Sequence, residues 1–167
     1  AEALQDMTCT DWGSRTFPEI CRVFSRTEWL TKSAKIKRRS MDFCIDVYEW
    51  PNSRGSLPTV MVDYEEADQL CKSAGKRLCD EEEWTFACEG EEGTPYPYGY
   101  VRDDRLCNID KPWIPPNNTK LFVPSAPEEQ EAELTRLWQG EPSGARASCV
   151  SHFGVYDMTG NVDEIVT

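Results

Sequence analysis

Apolar and polar positions alternate through FCIDVYEW, residues 43–50. Phe43, Ile45 and Val47 fall on one face, and Cys44, Asp46 and Tyr48 on the other. A period of two predicts a strand with one buried face, closed by Pro51-Asn52. After a short extended piece, LPTVMV, the period lengthens. Ala67, Leu70, Cys71 and Ala74 recur at i, i+3, i+4 and i+7, which predicts a helix with a single buried stripe. Asp63 is placed to cap it, Glu66 completes a capping box, and Gly75 supplies the stop. A second helix repeats this grammar. Asp80 caps, Glu83 returns the bond, Trp84, Ala87 and Cys88 face inward, and Gly90 ends it.

Outside these segments the pattern gives out. Residues 1–40 hold Cys9 and Cys21 but no sustained period, and read as a disulfide-tied amino-terminal extension to a domain over 41–167. GTPYPYGYVRDD and DKPWIPPNN are rich in Pro, Gly and aromatic residues and predict ordered, irregular loops. Between its prolines, APEEQEAELTRLWQGEPSG has room for a helical turn or two. Asn117-Asn118-Thr119 is a formal N-glycosylation acceptor, although chance often supplies such triplets and a bacterial source would leave it silent.

A chain of 167 residues suffices for one domain with a proper core. Its net charge of -12 and pI near 4.5 exclude a nucleic-acid face, which needs clustered Lys and Arg. The basic run KSAKIKRR, residues 32–39, reads as a solvated face. No stretch approaches the roughly 20 apolar residues of a membrane-spanning helix. The chain opens on Ala1 with no apolar targeting segment, so a leader is expected to have been removed. Its eight cysteines form no CxxC pair and His152 is the lone histidine, a poor set for structural zinc. Disulfides in an oxidising compartment account for them better: secreted, periplasmic or cell envelope. The even count predicts four internal bridges, with the pairing open.

Four stretches in order carry a resemblance: TVMVDYEEADQLCKSAGKRLCDEEEWTFACEG, YPYGY, CNID and FGVYDMTGNVDEIV. Together they resemble the formylglycine-generating enzyme, or sulfatase-modifying factor, family over about residues 43–167. The resemblance implies a disulfide-rich, C-type-lectin-like α/β (α+β) fold with little regular secondary structure. It also implies a further carboxyl-terminal segment, so that this chain is expected to be the amino-terminal part of a longer protein. Cys71 and Cys88 match helix cysteines that in the family bridge to that segment, which makes it, in the same polypeptide or as a separate chain, the expected partner.

The family also implies calcium. Its ligand positions fall on the Asp157 carboxylate, the Gly160 and Val162 carbonyls and the Glu164 carboxylate. These are hard oxygens in one bend, of the kind calcium takes six to eight of. A second family site begins with the Asn108–Ile109 carbonyl pair, but its later acid falls in a stretch, Lys111 to Ser148, that does not align. The alternative is that Asp157 and Glu164 only cap turns.

Two functions compete. A non-catalytic binding or assembly module with a protein or glycan ligand is favoured, because Asp163 and Ile165 replace the family's tryptophan pair and the copper-binding redox cysteines have no match here. The alternative is an oxidase whose cysteine pair lies in the further segment. Tyr96, Tyr98, Tyr100 and Trp113 either line a ligand groove or pack irregular loops.

Overall fold

The computed structural model describes residues 7–13, 17–33, 40–122 and 124–167. Most of the basic run, residues 34–39, lies outside the described residues. The amino-terminal extension, which shows no period in sequence, forms regular structure. Strand β1 (Cys9–Trp12) pairs antiparallel with β2 (Cys21–Phe24), Cys9 opposite Phe24 and Trp12 opposite Cys21. A Cys9–Cys21 disulfide clamps the ribbon. Helix α1 (Arg26–Ser33) follows, its Trp29 buried at 3% exposure against Phe24 and Tyr96. The extension then docks on the loop ahead of it. Val23 bridges Val101, and the Tyr96 hydroxyl donates to the Cys21 carbonyl at 2.7 Å.

Helices α2 (Tyr64–Ser73) and α3 (Glu81–Glu89) form where their patterns place them, each with a complete capping box, at Asp63/Glu66 and Asp80/Glu83. After α2, Lys76 N–H bonds to the Cys71 carbonyl and Gly75 N–H to that of Lys72. Gly75, at φ 71°, takes the left-handed turn this closure needs. Two further helices follow: α4 (Asn118–Leu121) and α5 (Pro127–Leu137), longer than the turn or two expected. Ala87, Cys88, Val155 and Met158 form one core cluster, and Cys107, Ile109 and Cys149 another, closed by the Cys107–Cys149 disulfide.

Three expectations need correction. Residues 43–50 run extended but form no strand, because alternation selects faces whereas a strand needs a neighbouring edge. Among the described residues only one backbone bond links this run to the closing loop, Tyr156 N–H to the Val47 carbonyl at 2.9 Å. Phe43 and Ile45 still pack on the Val155–Met158 cluster, while Val47 is exposed. The α2 stripe is only partly covered. Ala67 is buried, Leu70 and Cys71 are half-buried and Ala74 is exposed, since this face opens on a groove. Finally, the four-bridge count fails. Two disulfides close, and Cys44, Cys71, Cys79 and Cys88 remain thiols. Cys88 lies in the core with its Sγ on the Met158 carbonyl, whereas the other three line the open groove.

Candidate functional site

The acidic bend 157–164 is built on left-handed backbone: Asp157 at φ 60°, Gly160 at 82° and Asn161 at 64°. Gly160 cannot be replaced without movement. A Cβ there would stand 2.5 Å from the Asn108 carbonyl oxygen and 2.5 Å from Ile109 Cγ2. The bend is thus pressed against the Asn108–Ile109 pair, so the two expected half-sites adjoin in one region.

Asn161 ties that region together. Its Nδ2 donates to Glu49 Oε1 and Oε2 (3.0 and 2.9 Å) and to the Glu141 carbonyl (3.1 Å). Its Oδ1 accepts from Asn108 Nδ2 (3.0 Å) and Glu141 N–H (2.7 Å). Glu49, buried, also accepts from the Ser143 hydroxyl at 2.7 Å. Neither Asn161 nor Glu49 is singled out by the sequence reading. The signal for Asn161 was present, since Asn beside Gly tolerates left-handed backbone; for Glu49 there was none, its partners lying about a hundred residues away.

Charge is concentrated here. Asp157 is buried, and its Oδ2 accepts from Gly144 N–H at 2.7 Å. Burial raises its proton affinity, and the Gly144 N–H opposes the rise. Burial also raises Glu49, with the Ser143 and Asn161 bonds opposing and the charge of Asp157 adding. Glu164 lines a cavity at the bend, exposed to it while the cavity wall crowds its carboxyl. That surrounding protein pushes its carboxyl up to about 7, opposed by the Trp84 indole N–H that donates to Oε2 and helped by the charges of Glu49 and Asp157. Water in the cavity screens part of this effect.

The first donor set fits calcium in kind. It offers two carboxylates and two carbonyls and neither nitrogen nor sulfur, and waters would complete the shell. No backbone N–H among the described residues donates to the Gly160 or Val162 carbonyl. Also among the described residues, no three His, Cys, Asp or Glu side chains group closely enough to hold a metal, so the structure does not bring the expected carboxylates into an acidic cluster. The second set fits less well. The Asn108 carbonyl already accepts from Asn161 N–H at 3.0 Å, and although Asn108 Oδ1 is buried without a partner, the acids beside it face cations. Asp110 pairs with Arg102 at 2.8 Å, and Glu141 with Arg146 at 2.6 Å.

The aromatic groove does not form. Tyr96 is buried and stacked on Tyr98 (5.6 Å, 8°), Tyr100 packs edge-on to Trp29, and Trp113 stands apart at 77% exposure. The open feature is instead a groove of about 850 Å³ between residues 42–50, helix α2 and the end of the described chain. Phe43, Ile45, Leu70, Trp84, Val155 and Met158 give it an apolar floor. Burial raises the thiols of Cys71 and Cys79, and pushes Cys88 up to about 12.

Residues 19–167 match the sulfatase-modifying factor enzyme 1-like domain. The chain belongs to the sulfatase-modifying factor family. Its mixed α/β architecture, with two short strands and long irregular stretches, is the C-type-lectin-like fold of that domain. The match begins at residue 19 and so takes in β2 and α1, ahead of the stretch where the resemblance was legible. Among relatives, the mouse protein named inactive C-alpha-formylglycine-generating enzyme 2 is 33% identical over 114 residues, covering 65% of this chain and 31% of the mouse protein. The cattle protein of the same name is 32% identical over 109 residues, covering 65% of this chain and 32% of its own length. The chain therefore spans about a third of the length of these relatives. Among the described residues no helix is long and apolar enough to cross a membrane.

Proposed function

We propose that this chain is part of a non-catalytic, calcium-stabilised binding or assembly module of the sulfatase-modifying factor family, working in a secreted, periplasmic or envelope setting. The observation that carries the reading is that Asp163 and Ile165 stand where the family has its tryptophan pair. The thiols among the described residues are not the copper-binding pair, and their state adds only that Cys71, Cys79 and Cys88 are poor substitutes for it. A cysteine that binds copper or attacks a substrate needs an accessible, low-pKa thiolate. Cys71, Cys79 and Cys88 are all held toward the protonated thiol, and the deepest of them is enclosed in the core. The word "inactive" in both relatives' names points the same way.

The groove supplies the binding surface. Its expected occupant is a carboxyl-terminal segment of the same protein, in one polypeptide or as a separate chain, bridged to Cys71 in the groove wall and to Cys88, which the segment would reach only by entering the core cluster behind Val155 and Met158. A protein or glycan ligand would then meet the outer surface. Calcium, held by Asp157, Gly160, Val162 and Glu164, would fix the bend under the groove by replacing hydrogen bonds that irregular backbone lacks.

The catalytic alternative is separable. The longest natural form of the protein, loaded with copper under oxygen, is incubated with a cysteine-containing peptide, and aldehyde is measured by hydrazide capture. The expected result is no aldehyde above the metal-only control. Turnover of peptide to aldehyde would make it an oxidase and sink the module reading.

A further inference from the structure

We propose that Asn117 is an N-glycosylation site. Asn117-Asn118-Thr119 is the sequence's single Asn-X-Ser/Thr triplet, and in sequence alone such a triplet decides nothing. Its placement does. Residues 117–120 are exposed at the start of α4, which Asn117 caps, and line neither the groove nor the cavity at the acidic bend. The Asn117 backbone is anchored, its N–H donating to Glu133 Oε1 at 2.7 Å. Its side-chain oxygen is also engaged, accepting from Thr119 N–H at 3.2 Å and from the Thr119 hydroxyl at 2.7 Å.

The side-chain bonds both use the oxygen, Asn117 is exposed, and no partner for Nδ2 is seen among the described residues. The division matters chemically. Glycosylation forms a bond between Nδ2 and the anomeric carbon of a lipid-pyrophosphate-linked oligosaccharide. The pyrophosphate leaves with the electron pair of the anomeric C–O bond, and one proton leaves Nδ2. The product amide keeps its oxygen, so the turn to Thr119 survives the modification. The fold therefore accommodates the glycan without losing a bond.

Two further observations agree. The Cys9–Cys21 and Cys107–Cys149 disulfides need an oxidising compartment, which in a eukaryotic cell is also where this transfer occurs. Trp113 before the triplet and Phe122 after it are 77% and 66% exposed, and a glycan here would shield apolar surface that solvent otherwise meets.

The inference rests on the secreted branch of the setting proposed above, in a eukaryotic cell and not in a periplasm, and the test separates the two. The chain is expressed behind a cleavable signal in eukaryotic secretory cells, and oxidation of both disulfides reports entry into the lumen. The expected result is a wild-type protein carrying one N-glycan removable by peptide-N-glycosidase, with Asn117 converted to Asp on release. The glycan should be lost in N117Q and T119A and kept in T119S and N118Q. Oxidised wild-type protein of unmodified mass, or a glycan mapped elsewhere, would overturn the assignment. Because the signal imposes the location, a negative result bears on Asn117 and not on where the natural protein resides.

Discussion

Asn161 occupies a left-handed backbone position and spends both ends of its amide on three separate stretches of chain, at Glu49, Asn108 and Glu141. Among the described residues, Asn161→Ala would leave the buried Glu49 carboxylate with only the Ser143 hydroxyl, the Asn108 amide with only the Gln139 carbonyl, and the Glu141 N–H without its acceptor. A loss of about 2–3 kcal/mol is expected, since each unsatisfied buried group costs about 1–3 kcal/mol; urea unfolding measures it, and a loss under 1 kcal/mol would remove Asn161 from the centre of the site. The thiols give a second test at this scale. Cys44 is exposed, Cys71 and Cys79 are half-buried with raised proton affinity, and Cys88 is pushed up to about 12. Iodoacetamide at mildly alkaline pH, followed by peptide mapping, should label Cys44 first and Cys88 last. Rapid labelling of Cys88 would contradict the inert-thiol support for the non-catalytic reading.

Among the elements, α2 and α3 were the most legible, because their capping boxes and glycine stops are local and owe little to the rest of the chain. Residues 43–50 misled, since alternation names two faces but not a pairing edge. The β1–β2 ribbon and α1 were invisible, because a four-residue strand is shorter than any period it could display and a disulfide holds it. Calcium-ligand positions were legible only through resemblance, and the hub beneath them was not, since it joins residues remote in sequence. The Cys107–Cys149 bridge encloses a separation of 42 residues and should contribute about 4 kcal/mol by the chain-entropy account. The double serine variant should lose that much in urea unfolding, and an unchanged midpoint would show the bridge to be incidental. The α4–α5 hairpin should respond to acid. Glu133, covered by Arg136 and the Asn117 backbone rather than by the core, is lowered to about 2 by those two partners. A depressed carboxyl stabilises the fold above its unfolded value, and that contribution fades as pH falls from about 4.5 toward 2. Amide exchange in residues 117–137 should accelerate over that window, and Glu133→Gln should remove the pH response.

For the whole molecule, a net charge of -12 means that the compact state works against its own repulsion, most acutely at the bend, where Glu141 raises the proton affinity of Asp157, Asp157 that of Glu49, and both Glu49 and Asp157 that of Glu164. A divalent ion at the bend would relieve it, and the groove above would present its apolar floor on a settled base. Thermal unfolding of chelated protein, titrated with calcium, tests this most directly. At a hundredfold excess over Kd the fold should gain about 2.7 kcal/mol, a rise of about 5–10 °C for a domain of this size, and Glu164→Gln should blunt it. A melting temperature indifferent to calcium, or one that rises equally in the variant, would contradict the account.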